Sequence, residues 1–177
     1  MNLQMRLRLS VMMFLEYFIW GAWYVTAATW LGQTLHFSGQ EIGLVMGTTA
    51  LGAVFSPFFV GLMADELFAN QRLLAALHLF GAVLLWFAST QTSFTAVYTA
   101  LLVYSLCFMP TMALSNAVAF RQMKDPKLEF GPIRVFGTLG WIVAGLAVIG
   151  YLIPKLITGH SIEATRSEER RVGKECA

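Results

Sequence analysis

The sequence predicts an all-α fold, a polytopic membrane helix bundle of about five transmembrane helices. Three observations lead to it. The 177 residues are 57% hydrophobic and 12% charged, with a mean hydropathy of +0.64. A soluble domain carries about 25% charged residues, so this surface suits lipid better than water. Several windows are apolar over the roughly 20 residues that a helix needs to cross hydrocarbon. Finally, the basic residues fall in alternate gaps between those windows.

The windows run from Leu9 to Leu31, Ile42 to Ala64, Arg72 to Thr90, Phe94 to Phe120 and Val135 to Ile157. Each is continuously apolar, whereas the strands of a membrane barrel alternate. The first is too long for the apolar core of a signal peptide, about 7–15 residues, and reads as a helix that stays in place. The gaps, Gly32–Glu41, Asp65–Gln71, Gln91–Ser93 and Arg121–Arg134, are short enough to make neighbouring helices antiparallel. Arg6 and Arg8 precede the first helix, Arg72 follows the second, and Arg121, Lys124, Lys127 and Arg134 follow the fourth. The other two gaps hold no Lys or Arg. By the positive-inside rule the N-terminus is cytoplasmic.

Small residues recur on two helices: Gly43, Gly47 and Gly52 on the second, Gly137, Gly140 and Gly145 on the fifth. Such residues let helix backbones approach closely. Trp30 fits an interfacial aromatic belt. Trp20 and Trp23 lie deeper in the first helix, where a belt explains them less well.

The C-terminal stretch from Arg166 to Cys176 reads RSEERRVGKEC, an abrupt change to alternating charge. A basic juxtamembrane tail on lipid is one reading. The other is that these residues translate a nucleotide string resembling a common short-read sequencing adapter. Residues 166–177 are therefore set aside as a foreign tail, and residues 1–165 are expected to be the partial N-terminal part of a longer protein.

Composition excludes several classes. No basic stripe interleaved with aromatics suggests nucleic acid as a partner. Cys107 lies in an apolar run and Cys176 in the tail, and His36, His78 and His160 are far apart in sequence, so neither a disulfide framework nor a metal or other cofactor is expected. The patterns HExxH, GxSxG and GxxxxGK[ST] are absent, and no residue is assigned a catalytic role; an enzyme is not the expectation.

An ionisable group inside a membrane span is costly and therefore a candidate for function. Glu16 lies in the first window, as a proton-coupling candidate or as a structural partner, for example of an arginine. Arg134, after Gly131-Pro132-Ile133, is either one more cytoplasmic anchor or a donor fork aimed at a substrate or carboxylate. The fourth window is broken by Met109-Pro110-Thr111 and carries Ser115-Asn116. Asn116 should face the bundle interior, as interhelical glue or as a substrate contact. Gly61-Leu62-Met63-Ala64-Asp65 closes the second helix and resembles the loop motif of major facilitator superfamily transporters, G-x-x-x-D followed by basic residues. Here Glu66 replaces the usual basic residue, so Gly61 and Asp65 are only partial gating-loop candidates.

Three further stretches resemble one branch of that superfamily, the nucleoside:proton symporters. They are Phe18-Ile19-Trp20-Gly21-Ala22-Trp23-Tyr24, Met109 to Asn116, and Pro132-Ile133-Arg134-Val135-Phe136-Gly137-Thr138-Leu139-Gly140-Trp141. Their order and spacing fit that family's first half across nearly all of residues 1–160. Gly131 stands where a second proline is usual, and Glu16 where glutamine is common. The resemblance implies a twelve-helix fold in two six-helix halves, working by alternating access, of which this chain is a truncated part. It also implies that part of a nucleoside site falls on Arg134, Thr138 and Trp141, with Trp20 and Asn116 as further binding candidates. The family's remaining binding groups, including its proton-coupling carboxylate, belong to the second half, missing here. Independently, positions 134, 138 and 141 fall on one face of a helix, and a donor fork, a hydroxyl and a flat aromatic suit ribose hydroxyls and a stacking base.

The leading expectation is therefore a fragment of a secondary active transporter, importing nucleoside with protons across a bacterial inner membrane. The alternatives are a major facilitator transporter of another small solute, such as a sugar, and a non-transporting membrane sensor.

Overall fold

The computed structural model describes the backbone of residues 2–64 and 70–175 and the side chains of residues 2–56, 58 and 71–151. Five helices account for nearly all of it: α1 (Leu3–Gln33), α2 (Gly39–Ala64), α3 (Asn70–Thr90), α4 (Phe94–Gln122) and α5 (Pro126–Glu175). Each apolar window lies within one helix, and no strand occurs among the described residues. Among those residues Leu3–Gln33, Gln71–Thr90, Phe94–Gln122 and Pro126–Tyr151 are long and apolar enough to cross a membrane. The 26-residue α2, with Glu41 its only charged side chain, matches them in length.

The helix ends follow from local capping. Asn2 accepts the Met5 N–H at 2.9 Å and starts α1 ahead of Arg6 and Arg8. Beyond α1, His36 takes a left-handed conformation (φ 56°), and the Phe37 N–H reaches back to Leu31 O at 3.0 Å. Ser38 and Glu41 then form a reciprocal capping box: the Glu41 carboxylate accepts the Ser38 N–H at 2.8 Å, and Ser38 Oγ accepts the Glu41 N–H at 3.4 Å. Ser93 caps α4 through the Ala96 N–H at 3.4 Å.

The start of α5 corrects the sequence reading. It begins at Pro126, not Val135, so Gly131, Pro132 and Arg134 lie inside the helix. Asp125 Oδ1 accepts the Lys127 N–H at 3.1 Å, and the Glu129 carboxylate accepts the Lys124 N–H at 3.0 Å. Proline at the first helical position forfeits no hydrogen bond. These polar caps disguise a helix start as a loop.

Buried pairs fix the packing. Leu9 and Met13 of α1 meet Val118 and Ala119 of α4 and Ile133 of α5, while Trp23 meets Tyr104, so α1 and α4 are antiparallel. Gly81 of α3 lies against Tyr104 and His78 against Phe108, so α3 and α4 are antiparallel too. The parallel pairs are α2 with α4 and α1 with α5. Arg6, Arg8, Arg72, Arg121, Lys124 and Lys127 consequently gather at one end of the bundle. Away from these contacts the surface is apolar, with Leu79 71%, Trp86 72% and Leu146 64% exposed, as lipid-facing side chains should be.

The expected glycine contacts divide in two. A Cβ on Gly52 would stand 2.5 Å from Ser105 O, one on Gly137 would stand 2.7 Å from Tyr17 Cδ2, and one on Gly140 would collide with Phe14 O. Gly43, Gly47 and Gly145 have nothing within 4 Å of the same position. Spacing alone does not tell which small residue faces a neighbour.

Two tests follow. Gly52→Ala should destabilise the bundle by about 1–3 kcal/mol, because backbone must give way, whereas Gly43→Ala should change it by less than about 0.5 kcal/mol; thermal melting in detergent reads both. Hydrogen bonds from Ser38 hold the Glu41 carboxyl below its ordinary value of 4.5. Its contribution is full above that value and is lost as pH falls through the lower folded value. Glu41→Gln should therefore lower the melting temperature at neutral pH and remove part of its further loss in acid.

Candidate functional site

The third turn of α5 places Arg134 against α1. Its guanidinium carbon lies 4.1 Å from the centroid of the Tyr17 ring, a cation–π contact. One face of α1 continues this surface with Trp20 and Tyr24. Trp141, two turns beyond Arg134, packs edge-on against Trp20 with centroids 4.9 Å apart and lies 6.2 Å from Tyr24. Arg134 and Trp141 are half-buried and Thr138, between them, is exposed. The structure thus joins Arg134, Trp20 and Trp141 into one surface through Tyr17, which sequence reasoning passed over although it sits beside Glu16. The spacing of Tyr17, Trp20 and Tyr24 along one helical face was the signal available.

Two polar groups here have no protein partner. Among the described residues, Trp20 Nε1 and Asn116 Oδ1 are buried without a hydrogen bond. By contrast Trp23 Nε1–H donates to Tyr104 Oη at 3.0 Å. An unpaired buried polar atom costs about 1–3 kcal/mol, so Trp20 and Asn116 carry one uncompensated donor and one uncompensated acceptor.

Glu16 points elsewhere. It is 2% exposed and faces α3 and α4, not an arginine. Thr111 Oγ1 donates to Glu16 Oε1 at 2.5 Å, and His78 Nε2 lies 3.2 Å from Glu16 Oε2. His78 Nδ1 in turn contacts Leu74 O at 3.0 Å. The expected partner of the carboxylate is therefore replaced by a histidine. The rule that singled out Glu16, an ionisable side chain inside an apolar window, applies equally to His78. Of the loop-motif candidates, Asp65 lies outside the described residues, and Gly61 is described only by its backbone near the end of α2.

A cavity of about 520 Å³ lies between α1 and α5 beyond Trp141 and is lined by Phe18, Ala22, Thr26, Trp30, Ala147 and Tyr151 among others. It contains none of the candidate residues. Their surface is partly open, with Thr138 exposed and Arg134 and Trp141 half-buried, and its chemistry locates it.

A family model described as nucleoside H+ symporter matches residues 1–167. The chain belongs to the nucleoside H+ symporter family. This chain is 45% identical over 166 residues to YegT of Escherichia coli (strain K12), a provisionally named nucleoside transporter, covering 87% of this chain and 39% of that protein. It is 41% identical over 146 residues to the xanthosine permease of the same organism, covering 80% and 35%. The crystal structure of a mutant of the nucleoside transporter NupG superposes with a TM-score of 0.78 at 32% identity, over 81% of this chain and 37% of that one. The chain thus spans less than half the length of these relatives. The major facilitator fold and the family inferred from the three motifs are both borne out.

Within this chain the Trp23–Tyr104 bond ties α1 to α4. Trp23→Phe would leave the buried Tyr104 hydroxyl unpaired and should cost about 1–3 kcal/mol. Adding Tyr104→Phe should recover part of that loss, and a double-mutant cycle of melting free energies measures the coupling.

Proposed function

We propose that this chain supplies the first half of a proton-coupled nucleoside importer of a bacterial inner membrane, with its N-terminus in the cytoplasm. In this reading residues 1–165 belong to a six-helix half and residues 166–177 are foreign to it. The observation that carries the proposal is the face formed by Arg134, Tyr17, Trp20 and Trp141 in a chain of this family. Its parts match a nucleoside part by part. The guanidinium offers a fixed fork of donors to ribose hydroxyls or base carbonyls. The indole of Trp141 offers a flat surface to the base, and stacking of that kind is worth about 1–3 kcal/mol. Thr138 adds a hydroxyl within reach of solvent, and Trp20 Nε1 and Asn116 Oδ1 add an unpaired donor and acceptor. Gathering the basic side chains at one end of the bundle supports the orientation, since that end is retained on the cytoplasmic side.

The test is uptake of labelled uridine or adenosine by the complete protein in bacteria lacking their own nucleoside transporters. Uptake should require a proton gradient, and unlabelled nucleosides should compete where sugars do not. Trp141→Ala should weaken apparent affinity by about 5- to 150-fold, the equivalent of the stacking energy. Arg134→Ala should weaken it at least as much, while Leu79→Ala on the lipid-facing side should not. Proton-independent uptake, effective competition by a sugar, or normal affinity in Arg134→Ala would reject the assignment.

A further inference from the structure

We propose that Glu16, His78 and Thr111 form a proton-binding site whose protonation ties α3 to α1. The site is built from three helices and is distinct from the open face on α5. Its logic is a count of hydrogens. Leu74 O can only accept, so the His78 Nδ1 that contacts it at 3.0 Å carries a hydrogen. The other ring nitrogen, Nε2, stands 3.2 Å from Glu16 Oε2. If both Nε2 and the carboxylate are bare, two lone pairs face each other across that gap. One proton placed there converts the contact into a hydrogen bond, either as imidazolium with carboxylate or as imidazole with carboxylic acid. The observed geometry is that of a pair holding one proton.

Thr111 accommodates both forms. Its hydroxyl lies within hydrogen-bond distance of Glu16 Oε1 and of Phe108 O. With the carboxylate charged, the hydroxyl donates to it. With the proton resting on Oε2, the Oε1 carbonyl oxygen still accepts from the hydroxyl. No other side chain needs to move.

The surrounding charges favour this role. On α1 the neighbour is Tyr17, and beyond its ring lies the Arg134 guanidinium of α5. On α4 the facing groups are Thr111 and Tyr104, and on α3 His78. Glu41 is the only charged residue among those described on α2, and it lies at that helix's opposite end. The pair therefore changes its own charge by one as a proton enters or leaves, within an apolar bundle that penalises the charged form. When the proton leaves as pH rises, the His78–Glu16 bond is lost and α3 is released from α1. When it returns, the tie re-forms.

The transport consequence rests on the reading above, but the site itself can be tested without substrate. The complete protein in lipid nanodiscs, carrying spin labels at the lipid-facing positions 15 and 79 in a background without other cysteines, reports the α1–α3 separation. That separation should increase as pH rises through about 5–8, the range in which histidine titrates. Infrared difference spectra over the same range should show an imidazole or carboxyl change that Glu16→Gln abolishes. His78→Gln keeps a donor toward Glu16 without titrating, so it should hold the separation constant. A wild-type separation that does not change with pH, or an infrared change that persists in both variants, overturns the proposal. Loss of nucleoside uptake in the wild type would instead count against the substrate assignment and leave these two measurements decisive for the proton site.

Discussion

A carboxylate cannot be left bare in a hydrocarbon environment, and Glu16 sits almost fully enclosed in one. That single constraint brings three helices to one point. α4 answers with Thr111, which its proline-containing turn carries, and α3 answers with His78. The contacts above and below follow the same line: Trp23 on Tyr104 toward one end, Leu9 and Met13 on Val118 and Ala119 toward the other. Thr48 and Ser105 likewise pair at 3.2 Å between α2 and α4, whereas Trp20 Nε1 and Asn116 Oδ1 are buried without a partner. The bundle is apolar toward lipid and selectively polar within, the arrangement expected when the solvent offers no hydrogen bonds.

α4 is the organiser because it touches α1, α2, α3 and α5. Its thirteen buried side chains are spread around its circumference, including Ser105, Thr111 and Ser115, whose hydroxyls reach nearby groups. The proline at 110 interrupts one backbone bond at the level where α1 and α3 converge. α5 has a different task. It touches α4 only near its start and otherwise lies along α1, which leaves its Arg134–Trp141 side turned away from the organiser and available as a surface.

Much of this was readable from the amino acids, for a physical reason. Long apolar runs have few alternatives in lipid, so each predicted window fell within one of the five helices. Helix ends were less legible where polar caps mimic loops, as at Asp125–Glu129. Glu16 stood out because any ionisable group in such a run does. Its partner did not, because sequence spacing says nothing about which residue of a neighbouring helix comes opposite. The same blindness separates Gly52 and Gly140, pressed against backbone, from Gly43 and Gly47, which face open space. Arg134 and Trp141 share a face by simple helical arithmetic, but the Tyr17 ring that supports the guanidinium is a tertiary fact.

The close approach of α1 and α5 carries a mechanical consequence. At Gly21 and Gly140 the two helices meet backbone to backbone or nearly so, with Trp141 O and Phe14 O at the positions that side chains would occupy. At those two points no side chain separates the backbones, so the pair behaves as a single stiff lever. Any rocking within this part of the molecule must then pivot at another seam. A bulkier residue at either glycine would act on how freely the lever swings, and so on the speed of opening and closing, before it altered what the molecule recognises.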